Sequence, residues 1–344
     1  MKHTFKLLSC ILLILSLCFS MVSCGDIVDD FMGGLGEFDP EAGSEGGKKP
    51  SVLIPGEEVD PTPDPEKKPV PEVPVAKAGE LSVHFIDVDQ ADCALIMDGD
   101  KVMLIDTGDY PNDDHKTYML NYLKARGVET IDYLILTHPD ADHIGGAPEV
   151  INTFDVKNCI MPAATKTTSV FNRTLDALEE NEVNVLVPVP GEVFALKDAT
   201  FEILGPLYDD YDESNNWSVV LRLDFGERSI LFTGDAEDIS EAEMVEKYKG
   251  TNALSADVLK VGHHGSNSST TADFLSLVSP DYAIISCGVN NEYNHPRPAI
   301  INRLNGVQAE IYRTDKHGTV VLITDGEKLE FTWLTKEHKT SAQN

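Results

Sequence analysis

Hydrophobic and polar positions follow two different patterns along the chain. From Leu81 onward, short apolar runs bounded by polar turns alternate with stretches whose apolar residues recur at helical spacing. The pattern predicts strands at 81–88, 94–97 and 102–105, the last two joined by the turn Asp98-Gly99-Asp100. A helix at 115–126 follows, with Met119, Leu120, Tyr122 and Leu123 clustered on one side. Further strands are predicted at 133–136, 183–187, 201–204, 219–225, 230–232, 258–261, 282–286, around Ile311, and at 320–323 and 329–333. Helices are predicted at 240–248, 272–278 and 299–304. Hairpins mixed with helices over 80–335 imply one α/β domain of sheets covered by helices, followed by a polar tail at 336–344.

Before Leu81 no such period is sustained. Lys2 and Lys6 precede an apolar run at 7–19, the order of a secretory leader over 1–23, and the run is short for a bilayer about 30 Å thick. A transmembrane anchor is the competing reading of that run. Met21-Val22-Ser23-Cys24 resembles a bacterial lipobox, which implies acylation of Cys24 and a mature protein tethered to the outer face of a bacterial membrane. Residues 24–79 hold glycine pairs, prolines recurring from Pro50 to Pro74 and a surplus of acids, and read as an extended linker. Cys93, Cys159 and Cys287 remain beyond the lipobox, each in an apolar run. Their odd number argues for buried thiols and against a disulfide framework.

Charge narrows the choice of function. The chain has 58 Asp+Glu against 27 Lys+Arg, a formal net charge of −31, which leaves no surplus for the broad basic face that grips long nucleic acid by its phosphates. Its 42% hydrophobic content suffices for a core without being gathered into several spans, so whole-chain disorder and a polytopic membrane protein are both excluded.

Chemistry concentrates in Thr137-His138-Pro139-Asp140-Ala141-Asp142-His143, directly after an apolar strand and before Gly145-Gly146. Here four possible metal ligands stand within six residues. On an extended loop alternate positions can turn several ligands inward, with His143 opening a helix. A solvated loop whose aspartates cap that helix is the plain alternative. Other strand ends carry similar residue types: Asp106 in Leu104-Ile105-Asp106-Thr107-Gly108, Asp235 in Thr233-Gly234-Asp235, and the pair in Gly262-His263-His264-Gly265. His295 follows in Tyr293-Asn294-His295-Pro296.

The central segment resembles the H-x-H-x-D-H signature of the metallo-β-lactamase fold, with Asp140 where the second histidine usually stands. This H-x-D-x-D-H variant is similar to that of the ComEC-like competence-protein subgroup, and the likeness extends over about 81–334. The resemblance implies a metallo-β-lactamase αββα sandwich, two mixed β-sheets covered by helices, holding two divalent metal ions, zinc or manganese. By resemblance, His138, Asp140 and Asp235 would surround one metal and Asp142, His143, His264 and Asp235 the other, with a water or hydroxide between them. Asp140, and the lack of a histidine near Asn216-Trp217-Ser218, would make the first site richer in oxygen and more receptive to manganese. Asp106 would support the metal loop by hydrogen bonds.

Neighbours on a strand end face opposite ways, and the family's Gly-His-Gly turn favours His264 as the ligand, leaving His263 to orient it or to face substrate. Asp142, His263 and His295 are the residues expected to carry catalysis, with His295 donating to a phosphate oxygen or protonating a leaving group. The stretch 313–318 reads mainly as a β-turn, and His84 has no identifiable partner.

The implied function is that of an extracytoplasmic, lipid-anchored phosphodiesterase or nuclease. Its expected partners are a phosphodiester substrate, DNA among them, and the membrane through the acyl anchor; no protein partner is expected. Two readings compete with it. One keeps the site and changes the ester, as in a phosphocholine esterase or a lactonase-like enzyme; the other is a surface binding lipoprotein whose metal is only structural.

Overall fold

The computed structural model describes residues 75–109 and 113–334. The leader, Cys24, most of the linker and the tail lie outside the described residues. Among those described, the strands build two sheets that share one plan. In the first, β1 (Leu81–Phe85), β2 (Ala94–Asp98) and β3 (Lys101–Ile105) form an antiparallel meander, flanked by β14 (Thr319–Thr324) and β15 (Leu329–Leu334). The parallel strands β4 (Thr130–Ile135), β5 (Asp155–Ile160) and β6 (Asn184–Leu186) extend it, for the order 15-14-1-2-3-4-5-6. In the second sheet β7 (Val193–Ala195), β8 (Thr200–Gly205), β9 (Val220–Phe225) and β10 (Arg228–Phe232) run antiparallel. β11 (Val258–Lys260), β12 (Tyr282–Ile285) and β13 (Glu310–Arg313) then continue in parallel.

The period-2 pattern sorts side chains between layers. Leu81, Val83 and Phe85 of β1 face Phe201, Leu221, Leu223, Ile230 and Phe232 across the gap between sheets. Leu95, Leu104 and Leu134 point the other way, under α1 (Asp113–Ala125), α2 (Ala141–Ile144), α3 (Ala147–Thr153) and α4 (Ser169–Glu180). Leu231, Leu259 and Ile285 pack beneath α5 (Asp238–Tyr248), α6 (Ala272–Val278) and α7 (Pro298–Gly306). The result is two mixed sheets face to face with helices outside, the αββα arrangement. Full burial on both faces is why these strands read as near-continuous apolar runs.

Several elements depart from the sequence expectation. α3, β5, α4 and β7 were not foreseen: β5 carries Lys157 and Asn158 mid-strand, while α4 was missed although its buried residues Val170, Phe171, Thr174, Ala177 and Leu178 recur at helical spacing. The stretch read as a β-turn contains a helical turn, α8 (Thr314–His317), which Arg313 flanks with a two-pronged bond to Asp315. Cys93, Cys159 and Cys287 are buried free thiols, as expected. His84 is buried too, its Nδ1 2.7 Å from the Tyr122 hydroxyl and its Nε2 3.1 Å from Ser82 Oγ. Among the described residues no helix is long and apolar enough to cross a membrane.

Candidate metal centre

Apart from His295, which stands in the long connection after β12, the motifs singled out above lie just beyond the carboxyl end of a strand: Asp106 after β3, 137–143 after β4, Thr233–Asp235 after β10, His263 and His264 after β11. Because β3 and β4 are parallel neighbours, as are β10 and β11, these ends come out on the same side of each sheet. That is where α/β sheets place ligands. Two turns need unusual backbone. Gly234 has φ +51°, and a Cβ there would lie 3.0 Å from both Ser218 Oγ and Thr137 Cβ. Residues 262–265 form a 3₁₀ turn in which His263 and His264 both adopt positive φ, 47° and 53°. The two histidines are therefore separated by a left-handed turn and not by the alternation of a strand end, which corrects the premise used to tell them apart.

The ligand atoms of Asp142, His143, Asp235 and His264 all lie within 4.8 Å of one another. His143 Nε2 is 3.2 Å from Asp235 Oδ2, and His264 Nε2 is 3.5 Å from the same oxygen and 3.4 Å from Asp142 Oδ2. Each imidazole is aimed by its other nitrogen. His143 Nδ1 bonds Asp106 Oδ2 at 2.7 Å, and His264 Nδ1 donates to the Ser286 carbonyl at 3.0 Å. Asp106 also accepts from the Thr137 amide at 2.8 Å and hydroxyl at 2.7 Å, so it does support the metal loop by hydrogen bonds. This set forms an inner pocket.

His138 and Asp140 stand beside it at an outer position, with His138 Nε2 3.9 Å from Asp140 Oδ2 and the His138 ring 4.1 Å from that of His143. Ser218 Oγ lies 3.3 Å from His138 Nδ1 and accepts from the Asp235 amide at 3.0 Å. Asp140 precedes α2 but makes no capping bond. Its Oδ1 accepts instead from Ser214 Oγ at 2.8 Å and from the ammonium of Lys166.

His263 is at the rim, Nε2 3.7 Å from Asp235 Oδ2 and Nδ1 3.0 Å from Glu237 Oε1. His295 stacks edge-on to it at 5.7 Å, and Tyr293 stacks on His295 at 5.6 Å. Asp142 thus lies within the ligand group, while His263 and His295 stand together at its rim.

The donor set suits a divalent cation. Nε2 of His138, His143 and His264 and Oδ1 of Asp235 are all buried without a hydrogen-bond partner, an arrangement a fold does not keep without a counter-ligand. Imidazole nitrogens mixed with carboxylate oxygens match zinc or manganese in kind. The electrostatics agree. Burial disfavours a charged His264, yet Asp235 and Asp92 outweigh it and push its pKa up to about 10. Burial likewise opposes ionised Asp142, but His143 and His264 bring it down to about 2. A field that holds protons on buried imidazoles is one that a metal would neutralise while expelling those protons. His138, by contrast, is lowered by burial and by the His143 charge, which leaves a neutral nitrogen.

Apart from Asp106, sequence reasoning gave the supports no role. Asp92 is buried against Lys260, Oδ2 to Nζ 2.6 Å, with Oδ1 3.5 Å from His264 Nδ1. One signal was available: Lys260 is the single charge in an otherwise apolar strand end, and a buried lysine demands a partner. Lys166, Ser214, Ser218 and Glu237 gave none.

Comparison with known proteins agrees with this geometry. The family model described as "Metallo-beta-lactamase superfamily" matches residues 86–289. ComE operon protein 3 of Bacillus subtilis (strain 168) is 33% identical over 258 residues, 71% of this chain and 33% of that protein. Competence protein ComA of Neisseria gonorrhoeae is 31% identical over 241 residues, 70% of this chain and 32% of that one. The chain thus spans about a third of the length of these curated relatives. Among solved structures, the metallo-beta-lactamase fold protein YhfI from Bacillus subtilis aligns with a TM-score of 0.46 at 12% identity, covering 68% of this chain and 96% of that one.

Proposed function

The chain belongs to the metallo-beta-lactamase superfamily, and from that premise we propose that it is a metal-dependent hydrolase of phosphodiesters, with nucleic acid as its substrate class. The observation that carries this is that His143 and His264 present unpartnered imidazole nitrogens within one ligand group with Asp235, itself carrying an unpartnered oxygen, while the unpartnered nitrogen of His138 stands beside them. Asp142, His143, Asp235 and His264 would hold one cation, and His138 and Asp140, sharing Asp235, a second, with zinc or manganese as the ion. When bound, such ions supply a Lewis acid for the phosphoryl oxygen and bring the pKa of a water near neutrality.

The chain's own residues do the rest. His263 is tied to Glu237 through Nδ1, which leaves Nε2 to move a proton toward a departing oxygen. Burial disfavours the charged form of that ring, but Glu237 and Asp235 outweigh it and raise its pKa, which suits a proton donor. His295 is lowered to about 4 by burial and by the charges of His264 and His263. A neutral ring there suits hydrogen bonding to a phosphate oxygen. Tyr293, 59% exposed and stacked on His295, offers a flat face of the kind on which nucleobases stack.

Two further lines support the nucleic-acid reading. Relatives that carry the names of a competence protein and a recombination protein match about 70% of this chain. The acidic balance of −31 is accommodated if phosphate affinity comes largely from bound cations. The leader at 1–23 and the lipobox cysteine Cys24 support a site of action outside the cytoplasm on a lipid anchor. The test is cleavage of single- and double-stranded DNA and of a generic phosphodiester by the purified chain, stripped of metal and reloaded with manganese or zinc. DNA cleavage is expected with metal, and Asp142→Ala should reduce it by more than about 100-fold, the loss that removing one orienting partner already brings. Cleavage of the generic diester alone would move the substrate to envelope esters, and metal binding without cleavage would make the site structural.

A further inference from the structure

The inner pocket and the outer position differ in what completes them. The inner pocket draws two imidazoles and two carboxylates to within 4.8 Å, while His138 and Asp140 join no such group among the described residues. Nor do the neighbouring side chains supply a further outer ligand. Asn216 Oδ1 accepts from the amides of Glu237 and Ser240, both at 3.2 Å, and Ser218 Oγ is taken by the Asp235 amide and His138 Nδ1. What does reach the outer position is a cation belonging to the protein. Lys166 lies between β5 and α4, and its ammonium binds Asp140 Oδ1, the same oxygen that Ser214 Oγ occupies at 2.8 Å.

We propose that Lys166 sets the order in which the metal positions fill: the inner pocket binds first and tightly, and the outer position takes an ion only at higher concentration, against the Lys166 ammonium. The reasoning is electrostatic. A fixed positive charge on Asp140 both uses part of that carboxylate's capacity and repels a second cation nearby. The side chains of Lys166 and Asp140 are 33% and 24% exposed, so the repulsion is partly screened and the outer position is weakened without being closed.

This inference rests on the metal-binding part of the reading above and is independent of the substrate. It is tested by adding manganese, and separately zinc, to the metal-free full chain and following binding by calorimetry, with bound metal counted by elemental analysis. One tight and one weaker equivalent per chain are expected. Lys166→Met should leave the tight step in place and strengthen the weaker one by roughly tenfold or more. Lys166→Gln should act in the same direction, and Lys166→Arg should restore the wild-type pattern. Two equivalents of equal affinity in the wild type, or a weaker step that neither Lys166→Met nor Lys166→Gln alters, would overturn the proposal. Absence of any binding would instead remove the metal reading itself, a different failure visible in the wild type alone.

Discussion

The inner pocket and the outer position share the loop after β4, to which the inner pocket adds His264 from the end of β11, yet they are held in different ways. In the inner pocket each imidazole is fixed through its far nitrogen, His143 by Asp106 and His264 by the Ser286 carbonyl. All but Asp142 are buried. At the outer position His138 has only hydroxyl neighbours on Nδ1, Thr137 Oγ1 at 3.2 Å and Ser218 Oγ at 3.3 Å, and Asp140 is partly exposed and already paired. The ligand sets differ, with two imidazoles in the inner pocket against one at the outer position, and so do the groups behind the ligands. A site whose donors are locked by buried partners loses little on binding, whereas one whose donors are shared or paired must first release them.

The largest effect on this contrast is expected from Asp106→Ala. It removes the acceptor of three hydrogen bonds, from the Thr137 amide, the Thr137 hydroxyl and His143 Nδ1. Affinity at the inner step should fall by about 10–100-fold, with stability lowered by about 1–3 kcal/mol from the groups left unpaired. Calorimetric metal binding and a denaturant midpoint measure the two. An unchanged inner step would mean that the pocket does not depend on Asp106 for its aim, and the contrast between the positions would lose its physical basis.

A smaller change sharpens the comparison from the other side. Ser218→Ala deletes the hydroxyl that accepts from the Asp235 amide and neighbours His138 Nδ1, without touching the partners of His143 or His264. About 1 kcal/mol is expected, near a fivefold loss, and it should fall mainly on the outer step. Equal losses in both steps would show that Asp235, shared by both, transmits the change.

How much of this was legible in the sequence follows the same division. The segment 137–143 could be read because four ligand types crowd six positions after one strand, and Asp235 and the 263–264 pair because each ends an apolar run. Many strands and their covering by helices were legible from continuous apolar runs, the αββα layering only from the resemblance, and where the runs were broken, as in β5 by Lys157 and Asn158, the element went unread. Of the supports Asp106 was read from its motif, whereas the others were not, because they are made by topology. Asp92 meets Lys260 across the gap between the sheets' strand ends, and Lys166 reaches Asp140 from a different loop. His263 and His264 were told apart by strand alternation, with His264 chosen from the Gly-His-Gly turn of the resemblance, but it is a pair of positive φ angles that separates them, a conformation with no marker in the histidines themselves.

No effect on metal binding is expected from the last change, which makes it the control that separates loss of metal in acid from loss of fold. His84 lies on β1 against Tyr122 of α1, remote from the ligand loops in its hydrogen bonds, and burial, with the Arg126 charge second, lowers its pKa to about 3. Its folded pKa is below the ordinary 6.5, so its contribution to stability is fully present above 6.5 and is lost as pH falls toward 3. Across that window the loss approaches about 1.4 kcal/mol per pH unit. His84→Leu removes the titrating group and leaves the Tyr122 hydroxyl short of a partner, a cost that is constant with pH. Relative to wild type, the variant should therefore be less stable at pH 7 and lose less stability between pH 6.5 and 4.5, as read from denaturant midpoints of the metal-free chain. Parallel curves for the two proteins would place the acid response elsewhere, in the carboxylates and imidazoles of the pocket, and would tie the acid limit of the fold to the same groups that hold the metal.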